Sequence, residues 1–554
     1  MRRFITTLLL AISVVSGMAQ TLNVQQGNVT YAFTANSDDM TYSNNGQTLT
    51  IGQKAFNVSD ISQISVNDTE VEANLVSISY DGTAAAVTIA GNVAPYVTAT
   101  VSGAHVTISQ SNTADVDGEE ITYQLSGTSS NGSLTLGGSY KCTISLAGVT
   151  LTNPSGPAIN ITNKKRIQIS AKNGTENTLT DGVDANESWK GCLYSKGQLQ
   201  LQGKGTLTVK GQTAHAIKSG DYITVKNLTL IIPKAVKDGI NCNKYFQMKS
   251  GNVSISGVGD DGIEVEPEED DAITSETENH EDENSGNLYI EGGTLTVTTT
   301  GTDVKCIKSD YVLNISGGTI NATAQGSESK AIKAGHKVAQ NSSRNEAPWN
   351  PGGPGQPGGH DTTKYDYYGS LVISDGTIIA KSAKHEAIES KSTIVISGGI
   401  VYAEASDDAI NAGSDFTITG GYVMGNSTGN DGLDANGNFY IKGGNVFAIG
   451  TQQPEVGVDA NTEGGYKLYI TGGNVVAIGG LENGSSLTGV TSKSVSYSKG
   501  SWYTLKSGST SQFSFKVPSN SRMGNSMTIV APSSPSISSG SMSGTSIWNG
   551  YGIQ

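Results

Sequence analysis

Ten short segments of this 554-residue chain place polar or charged side chains at two fixed offsets from an aliphatic anchor. The anchors are Leu193, Ile217, Ile240, Ile263, Ile307, Ile332, Ile388, Ile410, Leu433 and Val458. Two residues before them stand Gly191, His215, Asp238, Asp261, Lys305, Lys330, Glu386, Asp408 and Asp431. One residue after them stand Tyr194, Lys218, Asn241, Glu264, Lys308, Lys333, Glu389, Asn411, Asp434 and Asp459. If the segments are neighbouring strands about 4.8 Å apart, both sets become columns. Their sign runs acidic, basic, acidic, and like charges this close repel unless something of opposite sign bridges them. Carboxylate oxygens about 4 to 5 Å apart suit calcium, whose contacts are about 2.3 to 2.6 Å. Asp238, Asp261 and Glu264 make one candidate calcium site, and Asp408, Asp431 and Asp434 another. The same residues read equally as a solvated charged face on which Lys and Glu pair across blocks.

Lys305, Lys308, Lys330 and Lys333 fill both columns in two consecutive segments. Four ammonium groups in so small an area attract a polyanion with regularly spaced carboxylates. An acidic polysaccharide fits, with Trp349, Tyr365 and Tyr367 available to stack on sugar rings. The competing reading is that these lysines neutralise the acidic stretch beside them. His215 and His385 lie near the columns, but no His pair has zinc spacing.

The elements that must position these residues follow from the spacing. Successive anchors are 24, 23, 23, 44, 25, 56, 22, 23 and 25 residues apart, so most steps fall between 22 and 25. Between anchors recurs a second motif, as in IleSerGlyGlyThrIle (315 to 320) and IleThrGlyGlyTyrVal (418 to 423), where GlyGly separates two runs alternating apolar and polar. That is strand, turn, strand. One period is three short strands and three turns, and self-similarity at this length predicts an all-β parallel β-helix of about a dozen coils. The anchor and the small residue two later face inward, which sends the residue between them outward. By the same parity the column two before the anchor would face inward; its charge implies a turn that sends it to solvent.

Residues 1–20 carry two arginines, an apolar run and a small-residue end, a secretory signal peptide; no Cys nearby suggests a lipid anchor, so secretion or attachment to the cell surface is expected. Residues 21–115 lack the period and read as N-terminal β modules, 116–495 as the β-helix, and 496–554, with Trp502, Tyr503, Phe513, Phe515 and Trp548, as a C-terminal cap over otherwise open edges. Excursions interrupt the array at 264–286 and 336–368. The first holds eleven Asp or Glu between 264 and 283, against a net charge of −15 for the whole chain. With 70 Gly, 13 Pro and an acidic balance, the composition fits many short strands and tight turns and offers nothing to nucleic acid. Cys192, Cys242 and Cys306 flank anchors in segments that are not neighbours, so these and Cys142 read as buried thiols.

The run LeuAlaGlyValThrLeuThrAsnProSerGlyProAlaIleAsnIle (146 to 161), AsnGlyThrGluAsnThrLeuThrAspGly (173 to 182), the AspGlyIle anchors and the GlyGlyThr turns resemble a family of secreted bacterial carbohydrate-binding β-helix proteins. The resemblance covers roughly 120 to 490. It implies a right-handed, pectate-lyase-like coil, cellulose or acidic-sugar binding, and bound calcium. The flanking modules look like those of gut Bacteroidetes surface proteins. The expected function is a secreted, non-catalytic binder of acidic or plant cell-wall polysaccharide with calcium. Its rivals are a calcium-dependent polysaccharide lyase and a structural adhesin. A lyase needs a base beside the metal. Beyond residue 20 only Arg166, Arg344 and Arg522 are arginines and none is in the columns, so that base would be Lys305 or a neighbour.

Overall fold

The computed structural model describes residues 20–35, 39–183, 188–268, 273–274, 280, 283–339, 365–451, 454–519 and 524–554. Among them there is no α-helix, only strands and three short 3₁₀ turns. No helix is long and apolar enough to cross a membrane. The expected signal peptide lies almost wholly outside the described residues, and Trp349, Arg344 and Arg522 lie outside them too. The chain forms two compact units, one reaching to Asn243 with Met248–Val258, the other comprising Lys244–Gln247 and Gly259–Gln554.

In the first unit, antiparallel pairs lead into parallel ladders. Thr21–Gln26 pairs with Val29–Thr34, Leu75–Asp81 with Ala84–Ala90, and Val97–Ser102 with Ala104–Gln110, all antiparallel. Leu75–Asp81 then lies parallel to Thr122–Ser129, and Ala104–Gln110 to Gly132–Gly138. Parallel pairing therefore reaches back into the segment 21–115 that the sequence sets apart. Further on, Ile159, Leu193, Ile217 and Ile240 are successive Cα partners in one parallel ladder.

The second unit holds three parallel ladders. The anchors Ile263, Ile307, Ile332, Ile388, Ile410 and Leu433 are Cα partners in register, and Val458 bridges to Leu433. A second ladder runs from Asn287–Ile290 through Val312–Ile315 and Ser370–Ile373 to Leu468–Ile470. A third runs from Thr294–Thr299 through Thr319–Ala324 and Thr377–Ser382 to Asn474–Ile478. Each passage from one anchor to the next adds one strand to each ladder. The anchors and their in-register aliphatics, such as Leu313, Leu371 and Ile394, are fully buried, so like packs on like along each ladder.

The paired glycines have two separate reasons. Gly421 has φ +78°, a left-handed conformation that a tight turn needs and a side chain resists. Gly420 has ordinary φ, but a Cβ there would overlap the carbonyl oxygen of Ser397 in the adjacent turn.

The C-terminal segment closes the ladders in two ways. Ser526–Ala531 pairs antiparallel with Asn474–Ile478, the last parallel strand of the third ladder, and occupies its exposed edge. A five-stranded antiparallel sheet built around Trp502–Ser507 and Thr510–Lys516 brings Phe513, Phe515 and Trp548 into one apolar cluster with Tyr402, Met424, Phe447 and Val476. Those four are themselves Cα partners along the third ladder, so that stretch is buried on both faces. All four cysteines are buried thiols.

The structure corrects the expectation that the column two before the anchor is solvated. In the second unit Asp261, Lys305, Lys330, Glu386, Asp408 and Asp431 are all under 9% exposed. Ion pairs to neighbouring side chains hold the buried lysines there, whereas the buried aspartates Asp408 and Asp431 lie among other carboxylates.

Candidate functional site

The charged ladder of the second unit has a basic and an acidic region, both carried by the short anchor strands. The register is set by the aliphatic anchors, so each charged side chain meets the equivalent residue of the next strand.

Around Lys305–Ser309 and Lys330–Ala334 the charges are matched nearly one to one. Lys305 Nζ donates to Asp303 Oδ1 at 2.7 Å. Lys308 Nζ donates to Glu264 and lies 3.9 Å from Asp261. Burial works against the Lys308 charge, but the Glu264 and Asp261 carboxylates outweigh it and hold the amine above its usual range. Asp261 also accepts the Lys305 backbone N–H at 2.5 Å. Lys330 Nζ donates to Glu389 Oε2 at 2.6 Å and lies 3.3 Å from Glu386 Oε2, and Lys391 takes the other Glu389 oxygen.

Lys333 is the exception. Its neighbours in register are Lys308 on one side and Glu389 on the other. Both Glu389 oxygens are already taken, and among the described residues no ion pair or hydrogen bond reaches Lys333 Nζ. Burial first, then the Lys305, Lys308 and Lys391 charges, push its amine down to about 8 against the pull of Glu389.

Beside the lysines lies an aromatic group. His336–Ala339 pairs antiparallel with Tyr365–Tyr368. The His336 and Tyr368 rings stack at 5.2 Å, with Tyr311 edge-on to His336 at 5.1 Å, and Tyr368 is 43% exposed. Tyr365 and Tyr367 share that strand, but their side chains, like Trp349, lie outside what is described. Sequence reasoning passed over Tyr368, Tyr311 and His336; the signal for Tyr311 and His336 was that each follows a lysine strand by two residues, whereas Tyr368 arrives by the pairing of its strand with His336–Ala339.

The acidic region is of the opposite kind. Asp431, Asp434 and Asp459 bring carboxylate oxygens within 4.8 Å of one another. Asp408 joins through Asn411, whose amide donates to Asp408 at 3.0 Å and Asp434 at 2.7 Å. Asp408 also caps the Asp431 backbone N–H at 3.0 Å. Burial and then the neighbouring carboxylates raise all four carboxyls, Asp408 to about 6 and Asp431 to about 8. Of the expected calcium ligands Asp408, Asp431 and Asp434, the latter two group directly. Asp459, one anchor further on in the same column, completes the group and was not singled out from the sequence.

The other expected calcium set is engaged otherwise. Asp261 and Glu264 face Lys308, and in the first unit Asp238 accepts from Asn241 at 2.7 Å and sits 3.1 Å from His215. His385 is ringed by acids, with Glu328 at 2.9 Å, Asp407 at 3.6 Å and Glu386 in contact.

Parallel ladders carrying a charge-patterned column define the class as an all-β protein of stacked parallel strands. The chain matches the family of carbohydrate-binding domain-containing proteins over residues 102–432, more than half its length, and belongs to it. A carbohydrate-binding domain-containing protein of Acetivibrio thermocellus is 29% identical over 119 residues, 19% of this chain and 42% of that protein, so the chain spans under half the length of that curated relative. Among solved structures, a polysaccharide lyase-like protein from C. thermocellum, studied as a gadolinium derivative, is similar at 23% identity and TM-score 0.36, over 46% of this chain and 93% of that one.

Proposed function

We propose that this protein is a secreted or surface-held, non-catalytic binder of acidic polysaccharide, coiled as a right-handed parallel β-helix and assisted by calcium. The observation that carries the reading is the charged ladder itself: one region holds an ammonium with no counter-ion, and a second holds carboxylates with no cation among the described residues. Polar recognition of a polysaccharide needs fixed charges on a rigid scaffold, and side chains on ladder strands supply them. Tyr368, exposed and braced by His336, offers a ring face beside the lysines.

Asp431, Asp434 and Asp459 would hold the calcium. Their oxygens are close enough to share one ion, and their raised carboxyls mark a site where negative charge is uncompensated. Asp261 and Glu264 suit calcium less, because Lys308 already neutralises them.

The lyase reading has one observation in its favour, the lowered amine of Lys333, which suits a general base. Geometry opposes it. Lys333 and Asp434 are three ladder steps apart through Glu389 and Asn411, roughly 14 Å at about 4.8 Å per step, too far for one sugar to meet both. A glycan array read with and without calcium tests the binding reading, and loss of all acidic-glycan signal would remove it. Incubation with polygalacturonate and calcium at pH 8.5 should leave unsaturated-uronide absorbance flat. A rise abolished by Lys333→Ala would instead make the protein a lyase.

A further inference from the structure

We propose that Lys333 is the single seat for a glycan carboxylate in the basic region, and that its proton makes acidic-glycan binding switch off in mild alkali. The inference rests on the glycan-binding reading above and goes beyond it in naming the residue and the regulation.

The four ammonium groups differ in whether a carboxylate already holds them. Lys305, Lys308 and Lys330 each have a carboxylate partner inside the fold. A bound polyanion would have to compete with those partners, Asp303, Glu264 and Glu389, two of them buried. Lys333 has nothing to displace. It is half-buried, so its charge is only partly screened, yet open enough to be reached.

The field at Lys333 comes mainly from other cations. From the strand Lys305–Ser309 come Lys308 and Lys305, from Lys333's own strand Lys330, and from beyond Ile388–Ser390 Lys391. The carboxylates within influence are Glu389, shared between Lys330 and Lys391, and Asp303 and Asp310, each of which feels Lys333 through space. The balance at Lys333 Nζ favours losing its proton, and a carboxylate delivered by a ligand reverses that balance. The aromatic group lies at the end of the same strands: Ala334 and Gly335 lead into His336, which stacks on exposed Tyr368. A uronate with its carboxylate on Lys333 would thus have a ring face available to its neighbour.

The sign follows from proton linkage. Below about 8 the free protein carries the Lys333 charge; above it binding must draw a proton from solution onto the amine, and affinity falls. Polygalacturonate stays fully ionised throughout this range, so the titration belongs to the protein.

The experiment is affinity of the full chain for polygalacturonate and for its methyl ester, by calorimetry from pH 6 to 9.5 at constant ionic strength, for wild type, Lys333→Arg and Lys333→Gln. Wild-type affinity should drop about tenfold from pH 7 to 9, approaching one proton taken up per site. Lys333→Arg should keep the pH 7 affinity and flatten the profile, because guanidinium does not titrate here. Lys333→Gln should bind weakly at every pH, and the ester should not compete. A flat wild-type profile, or Lys333→Gln binding as wild type does, overturns the assignment while the glycan-binding reading stands. No binding by wild type at any pH overturns both.

Discussion

The basic and acidic regions of the charged ladder share one backbone register and differ in how their charges are met. Around Lys305–Ala334, consecutive lysines are flanked by Glu264 on one side and Glu386 and Glu389 on the other, and every ammonium but one is paired. Around Asp408–Asp459, carboxylates face carboxylates, and burial with their mutual repulsion raises them. The same scaffold therefore makes one region whose charges stabilise when intact and another that is strained until a cation or a proton arrives. Stacking at strand spacing amplifies whichever sign the sequence puts there.

Breaking the matched region should have the largest effect. Lys330→Ala leaves Glu386 and Glu389 buried with too little counter-charge, and a loss of about 3–5 kcal/mol is expected for such a cut pair. A clear fall in the midpoint of urea unfolding is the readout, and an unchanged midpoint would show that these carboxylates are relieved some other way.

Filling the unmatched region comes next. Calcium at a hundredfold its dissociation constant should stabilise by about 2.7 kcal/mol if it binds only the folded chain. The thermal midpoint should rise from chelator to millimolar calcium, and Asp431→Asn should lose that response while gaining stability in chelator. Superimposable wild-type curves would sink the site.

Between the two regions the pH dependence should differ in sign. Carboxyls raised from 3.8 to about 6 at Asp408 and about 8 at Asp431 bind more protons folded than unfolded. Their contribution is full in acid and lost as pH rises through about 6 to 8, so the calcium-free protein should melt higher at pH 5 than at pH 8. Lys333, lowered from 10.5 to about 8, is protonated more in the unfolded chain, so its contribution grows as pH rises between about 8 and 10.5. Midpoints scanned across both windows should show Asp431→Asn removing the acid-side slope and Lys333→Gln the alkaline one.

The smallest effect sharpens the contrast inside the basic region. Lys333→Gln should raise stability modestly at pH 7, since it removes a charge that burial and the neighbouring lysines disfavour and has no ion-pair partner to lose among the described residues. Lys308→Ala, which strips Glu264 and Asp261 of their cation, should lower it. Equal effects would mean the two neighbours in register are equivalent after all.

Much of this was legible in the chain. Alternating runs around GlyGly and aliphatic anchors at near-constant spacing set the all-β class and parallel strands, because backbone pairing and side-chain alternation depend on local pattern. The columns, too, could be written down residue by residue, since register carries equivalent positions together. What the spacing left undecided was the state of each charge. Whether Lys308 meets Glu264 or solvent, and whether Glu389 serves Lys330 and Lys391 rather than Lys333, depends on side-chain reach between adjacent strands. Asp459 joins Asp431 and Asp434 although a 25-residue step separates it from the anchor before, and Tyr368 rather than a residue chosen for its type faces His336. The row Tyr402, Met424, Phe447 and Val476 alternates with the buried row Val401, Val423, Val446 and Val475, and the C-terminal sheet buries it as well. Sequence determined which residues share a column, a matter of periodic backbone geometry. Tertiary structure decided which of them are paired, buried or open, because ion pairing and desolvation are settled by neighbours that lie 23 to 59 residues away along the chain.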